Sequence, residues 1–335
     1  MNFNSLLHNY ITSSNNLTEK SKKDYQNKIE FFIKWLDLNQ ITNPEKKDML
    51  NYQIHLYSDG NKNSIMTPNS ANAYLSVLKS FFKWLEENDL YSNITSIIKL
   101  NKIDKKYKKD SLDIDEATHL LQYLNEFYEN KINSIDKKGK RYTHLFAVIQ
   151  ECKLRDYAIL NLALHTGLRL IEIVRANIED LRIQKVKIQD KQLKKHVLYI
   201  QGKGKNTKSD FVYLQESVYD SILDYLKLRS YKISDPLFVG AGNRNKGRLT
   251  GDWISIFNKK MLRNSGLINS KDRNDSRLSF HSFRHTTATL ALEAGVSLEK
   301  VREMLRHSNI STTEIYTNGM ERQIDPAELQ IKIVD

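Results

Sequence analysis

Apolar positions in the first hundred residues recur with a helical period. Tyr25, Ile29, Phe32 and Leu36 fall at i, i+4, i+7 and i+11, behind Thr18, a residue type that caps helix N-termini. A second stripe with the same period, Ala71, Tyr74, Leu75, Leu78, Phe81, Phe82 and Leu85, follows Pro68. Shorter helical stretches at 4–11 and 45–57 complete a four-helix unit. The aromatic stripes read as its core.

The period breaks at residues 99–110, which carry six Lys and read as a solvated linker able to touch phosphates. A new helical series begins at Leu112, and residues 127–143, polar and Lys-rich, read as a surface insertion between helices. Helix resumes over 154–164 and stops at Thr166 and Gly167, where glycine supports a turn. Strand-like segments follow near 181–188, at 196–201 and at 209–214, the last two joined by a hairpin turn over 202–208. Residues 216–229, 252–264, 282–294 and 297–306 return to helical spacing. The fold class expected is therefore mainly α. A four-helix N-terminal domain spans 1–98, a Lys-rich linker 99–111, and a mixed α+β domain 112–335 carries a small antiparallel sheet and ends in a tail at 321–335.

The 335-residue length suits two domains, and 40% hydrophobic with 10% aromatic residues argues against disorder. A formal charge of +12 points to an anionic partner, most often nucleic acid, and both parts of the chain are basic. Within that charge Arg is scarce: 15 of the 52 basic residues are Arg, and the first is Arg141, so each Arg position is informative. The single cysteine, Cys152, excludes an intrachain disulfide framework and a Cys-rich zinc site, and fits a reducing compartment, hence a cytoplasmic protein. No apolar run is long enough for a membrane span, and the N-terminus lacks a signal-peptide pattern.

Candidate chemistry is spread over five short motifs. Thr166-Gly167-Leu168-Arg169 is followed by Glu172 one helical turn on, and Gly202-Lys203-Gly204-Lys205 puts cations at a hairpin tip. His281 and Arg284 lie at i, i+3 on one helix, followed by His285 and Thr286. Leu305-Arg306-His307 and then Thr312-Thr313-Glu314-Ile315-Tyr316 close the series. Singly these are ordinary: Arg169 with Glu172 is a common helix ion pair, and the Gly-Lys run lacks the spacing of a Walker loop. His281 and His285 at i, i+4 have neither an H-E-x-x-H pattern nor a third ligand at metal spacing, so no metal or other cofactor is expected.

Taken together, in this order and spacing, the motifs resemble the tyrosine recombinase (phage integrase) family, most closely its Xer branch of site-specific recombinases. The resemblance covers essentially the whole chain, since the Ser80-Phe81-Phe82-Lys83-Trp84-Leu85 run looks like the family's helical core-binding domain. It implies an enzyme that cleaves and rejoins duplex DNA at a specific recombination site. Breaking a phosphodiester needs a nucleophile, an acid for the departing oxygen and cations for charge building on phosphorus. Tyr316 would be the nucleophile, forming a 3′-phosphotyrosyl bond. Arg169 and Arg284 would hold the non-bridging oxygens, with His307 as a further donor. His281 would assist proton transfer. Lys203 would protonate the leaving 5′-oxygen, although ungapped counting back from Val212, Tyr213 and Leu214 selects Lys205 instead.

The same resemblance implies a homo-tetramer on DNA, assembled through the tail at 321–335 and exchanging strands through a Holliday junction, with or without an accessory protein. The biological setting would be chromosome dimer resolution at cell division or mobile-element integration and excision. Two departures stand out. Arg306 occupies a position where the family commonly has Gly, which bears on local helix packing, and Asp210 lies near the place of a usual Arg. Rival readings are a type IB topoisomerase-like relaxing enzyme and a catalytically silent DNA-binding member of the family.

Overall fold

The computed structural model describes residues 2–57, 66–101, 111–135, 140–188, 191–202, 207–242, 247–268 and 278–306. The chain divides into two compact units, Met1–Lys106 and Tyr107–Asp335.

Four helices build the first unit: α1 (Phe3–Ser13), α2 (Glu19–Leu38), α3 (Lys46–Tyr57) and α4 (Pro68–Glu87). Hydroxyl caps start two of them. Thr18 accepts the Ser21 N–H at 3.2 Å, and Thr67 accepts the Ser70 N–H at 3.3 Å ahead of Pro68 in the first turn of α4. The predicted stripes face inward. Ile29, Phe32, Leu36, Ala71, Leu75, Leu78, Phe81, Phe82 and Leu85 are all buried in one core with Trp35 and Tyr52 from α2 and α3. Aromatic rings meet there mostly edge to face or tilted, as Phe32 meets Tyr52 edge to face at 4.8 Å between centroids.

The second unit carries α5 (Ile114–Asn133), α6 (Lys140–Thr166), α7 (Leu170–Arg175) and a 3₁₀ turn at Ile178–Asp180. Then come β1 (Leu181–Ile188), β2 (Lys191–Ile200), β3 (Asp210–Leu214), α8 (Glu216–Lys227), α9 (Gly251–Asn264), α10 (Phe280–Glu293) and α11 (Leu298–Leu305). The three strands form one antiparallel sheet in the order β1-β2-β3, with Leu181 opposite Leu198 and Leu198 opposite Val212. Mainly helical architecture with a small antiparallel sheet is thus the fold class expected, although β2 starts well before residue 196. The helix α6 supplies the middle of the core, burying Ala158, Ile159, Leu160, Leu162, Ala163 and Leu164 against α5, α8 and the sheet.

One expectation needs correction. Among its described residues the stretch 127–143 is mainly helix rather than a surface insertion: α5 continues to Asn133 with Tyr128 and Ile132 buried, and α6 begins at Lys140, well before Leu154. The reason is a buried polar network that hydropathy does not register. The Tyr128 hydroxyl donates to Asp156, and the Arg155 Nε donates to the other oxygen of that carboxylate at 2.7 Å. Arg155 also donates to the Val239 carbonyl at 3.2 Å and lies over the Trp253 ring, 4.5 Å from its centroid. Among the described residues no helix is long and apolar enough to cross a membrane.

Candidate active site

The site is organised by the stop of α6. At its end Gly167 has φ +60, in the left-handed region that glycine enters freely, and its N–H donates to the Ala163 carbonyl at 3.0 Å. No side chain fits there: a Cβ on Gly167 would come within 2.9 Å of Leu305 Cδ2 and 3.4 Å of Thr287 Cβ. The chain therefore turns against the end of α11 and the flank of α10. Arg169 follows as the N-cap of α7 in extended geometry, φ −69 and ψ 146.

Glu172 fixes that arginine. Its carboxylate accepts the Arg169 backbone N–H at 2.8 Å and Arg169 Nη1 at 3.0 Å, and its side chain is 0% exposed while Arg169 keeps 27%. The ordinary helix ion pair is in this setting a buried carboxylate serving a half-exposed guanidinium, the arrangement that leaves Arg169 anchored yet able to meet an outside ligand.

The turn is tied down from the opposite side by α10. Arg284 is 1% exposed, donates from Nη1 to the Gly167 carbonyl at 2.7 Å, and donates from Nη2 to the Leu305 carbonyl. One helical turn later on α10 the hydroxyl of Thr287 donates to the Leu164 carbonyl at 2.8 Å. His281 stands exposed in the first turn of α10, its ring edge-on to that of His285 with centroids 5.0 Å apart. Arg169, at the start of α7, and Arg284 and His281, both on α10, are thus carried by two segments of one unit. Among the described residues no group of three His, Cys, Asp or Glu side chains could hold a metal ion.

Arg306 is the residue that sequence reasoning undervalued. It ends α11 with φ 55 and ψ 45, a left-handed conformation that costs a residue bearing a Cβ roughly 1–2 kcal/mol and explains why glycine is the easier occupant. Its Nη2 donates to Glu172 Oε2 at 3.0 Å and its Nη1 to the Met304 carbonyl at 2.8 Å. Burial lowers its pKa, the Glu172 carboxylate opposes that shift, and the neighbouring charge of Arg169 adds to it. The signal available in the sequence was its scarcity: an Arg where glycine is usual, in a chain that otherwise favours Lys.

Three expected site residues, Lys203, His307 and Tyr316, lie outside the described residues, as do Lys205, residues 102–110 of the linker and the tail at 321–335. What bounds them is described. The connection bearing Lys203 leaves β2 at Ile200 and rejoins β3 at Asp210, and just before that point Lys208 pairs with the buried carboxylate of Asp180. His307 follows directly on Arg306, at the end of α11. The one cysteine, Cys152, is half-buried, and burial pushes its thiol up in pKa.

The comparisons agree with this layout. The model for the phage integrase family matches residues 137–322, and that for the phage integrase N-terminal SAM-like domain matches 6–92. A relative named tyrosine recombinase XerC from Leptospira interrogans serogroup Icterohaemorrhagiae serovar copenhageni is 26% identical over 94% of this chain and 88% of its own. One named tyrosine recombinase XerD from Listeria innocua serovar 6a is 26% identical over 92% of this chain and 91% of its own. Among solved structures, the post-cleavage complex of the XerH site-specific recombinase with its palindromic difH substrate has the same fold. It aligns with a TM-score of 0.66 at 18% identity, over 96% of this chain and 83% of that one.

Proposed function

The chain belongs to the phage integrase family, and from that membership we propose how its own residues break and rejoin DNA. It is a site-specific DNA recombinase. The Tyr316 oxygen attacks the scissile phosphorus, a P–O bond to the tyrosine forms, and the bond to the 5′-oxygen breaks. His281 takes up the tyrosine proton, and the hairpin lysine, Lys203 in the first instance, gives a proton to the 5′-oxygen as it leaves. Charge accumulating on the non-bridging oxygens is met by Arg169, Arg284 and His307. Each preorganised donor of this kind contributes about 3–4 kcal/mol in the transition state. Reversal of the attack by another strand's 5′-hydroxyl rejoins DNA without an external energy source.

The observation that carries this reading is the junction at Gly167. There Arg284 donates to the Gly167 carbonyl at 2.7 Å, two residues from Arg169, and also reaches Leu305, two residues before His307. Two of the proposed phosphate ligands, Arg169 and Arg284, thereby meet at one backbone crossing, and His307 follows Leu305 by two positions in sequence.

Duplex DNA is the substrate, and a tetramer exchanging strands in pairs is the working assembly. Ile324, Leu329, Ile331, Ile333 and Val334 make the tail unusually apolar, as expected of a segment that docks on a neighbouring protomer. A hollow of about 460 Å³ lined by Ala117, Leu121, Leu164, Leu290, Ala291 and Met304 offers an apolar surface of matching chemistry. The relatives named above are recombinases, which favours recombination over the type IB topoisomerase-like reading.

A nicked suicide substrate tests the assignment. Wild-type protein accumulates a covalent protein–DNA complex and Tyr316→Phe does not; covalent product from the Phe variant refutes the nucleophile, and none from wild type favours a silent DNA-binding protein. Sequencing the trapped DNA separates a chromosomal site from a mobile-element end.

A further inference from the structure

Two guanidiniums share one buried carboxylate. Arg169 takes Glu172 Oε1 at 3.0 Å and Arg306 takes Oε2 at 3.0 Å, while the Arg169 N–H donates to Oε2 at 2.8 Å. The two arginines come from segments far apart in the chain: Glu172 and Arg306 are separated by 134 positions. Glu172 is 0% exposed and the Arg306 side chain 15%, so the contact is shielded from competing water and salt.

The backbone makes the side chain's role explicit. A helix can stop in the left-handed region most easily with glycine, and Arg306 adopts φ 55 there with its N–H bonded to the Glu303 carbonyl at 2.9 Å. For stopping α11 alone an arginine is a poor residue. What it adds is the pair of bonds from its guanidinium, one to the Met304 carbonyl at 2.8 Å and one to Glu172. These fix the last turn of α11 to the carboxylate that orients Arg169.

Charge bookkeeping adds a second consequence. A carboxylate paired with Arg169 alone would cancel much of the field that guanidinium offers a phosphate. With Arg306 on its other oxygen, the trio keeps a net positive charge.

We propose that Arg306 is a positioning residue for DNA cleavage, which acts through Glu172 to hold the Arg169 turn against the exit of α11, the helix end from which the chain continues in sequence to His307. This rests on the reading of Arg169 and His307 as phosphate ligands. It assigns the departure from glycine at this position a part in the reaction rather than in packing alone.

Single-turnover cleavage of the nicked substrate at saturating protein tests it, alongside DNA affinity and thermal unfolding of each variant. For Arg306→Gly we expect a melting temperature within a few degrees of wild type, because relief of the left-handed backbone offsets the lost guanidinium bonds while Arg169 still pairs with Glu172, and a DNA dissociation constant within about twofold of wild type. Cleavage of the bound DNA should nevertheless fall about 10- to 100-fold, the scale of a misplaced catalytic group. Arg306→Lys should recover part of the loss. The double variant Arg306→Gly with Glu172→Gln should be little worse than the poorer single variant, because both act through one contact.

The proposal is overturned by an Arg306→Gly protein that cleaves at the wild-type rate, by a loss that tracks affinity or melting temperature, or by effects of the two substitutions that multiply. A wild type that traps no covalent complex overturns the reading of the site and this proposal with it. A wild type that traps one beside an unimpaired Arg306→Gly overturns this proposal alone.

Discussion

Arg284 Nη1 donates to the carbonyl oxygen of Gly167 at 2.7 Å, joining the first turn of α10 to the end of α6 across 117 positions of sequence. Being 1% exposed and also bonded to the Leu305 carbonyl, this arginine is a structural clasp as well as a proposed phosphate ligand.

Arg284→Lys should therefore damage both stability and chemistry. Lysine keeps the charge but cannot reach two diverging carbonyls with a planar fork, and a hydrogen bond from a charged donor is worth about 1.5–3 kcal/mol. Urea unfolding should place the variant about 2 kcal/mol below wild type, with suicide-substrate cleavage falling further than that loss alone explains. Wild-type stability in the Lys variant would show that the carbonyl contacts contribute nothing to folding.

Gly167 should tolerate no side chain. Alanine there meets two costs, the positive φ of +60 and a Cβ placed 2.9 Å from Leu305 Cδ2. The backbone cost is about 1–2 kcal/mol, and displacing Leu305 adds to it while shifting the exit of α11. Gly167→Ala should lower the melting temperature and slow cleavage together, whereas Gly242→Ala, also at positive φ but with only Val148 at 3.7 Å, should lower stability without slowing cleavage. Equal cleavage defects in the two variants would remove Gly167 from any special place in the site.

These contacts define what the sequence could and could not convey. The stripes from Tyr25 to Leu36 and from Ala71 to Leu85 were legible because a helix face buried against one core leaves a period in hydropathy. Motif order singled out Arg169 and Arg284 as candidates, and the structure brings both to the Gly167 turn. Tyr128 and Asp156 were not, because a buried polar network is polar in sequence and its partners lie 28 positions apart. The scarcity of arginine pointed to chemistry too readily: Arg229 donates to the Pro236 carbonyl at 3.1 Å, and Arg248 to the Val174 and Ala176 carbonyls at 2.6 and 3.0 Å. Planar forks satisfy loop and helix-end carbonyls as well as phosphates, and sequence spacing does not distinguish the two uses.

The network around Asp156 should set the stability of the second unit without touching the reaction. Its carboxylate is fully buried, the neighbouring charge holds the Arg155 guanidinium above its ordinary pKa, and Tyr128 completes the shell. Removing one partner of such a pair strands the other, at a cost of about 3–5 kcal/mol, so Arg155→Met should unfold at much lower urea. Tyr128→Phe removes one neutral donor and should cost about 1–2 kcal/mol. Folded fractions of both variants should cleave DNA at the wild-type rate per covalently competent molecule; a specific catalytic defect in either would place this network in the reaction.

The identity of the general acid can be decided chemically. If Lys203 protonates the 5′-oxygen, Lys203→Ala should lose cleavage on ordinary DNA by about 10²–10⁴-fold, the usual worth of a positioned acid. Lys205→Ala should lose far less. Replacing the bridging 5′-oxygen by sulfur gives a leaving group whose conjugate acid has a pKa near that of a thiol, about 8.5, and which departs without a proton. On that substrate Lys203→Ala should cleave close to the wild-type rate, while Arg169→Lys, which acts on non-bridging oxygens, should stay impaired. Rescue of Lys205→Ala in place of Lys203→Ala would move the acid to Lys205. Rescue of neither would mean that the hairpin lysines bind phosphate and that the proton comes from another group.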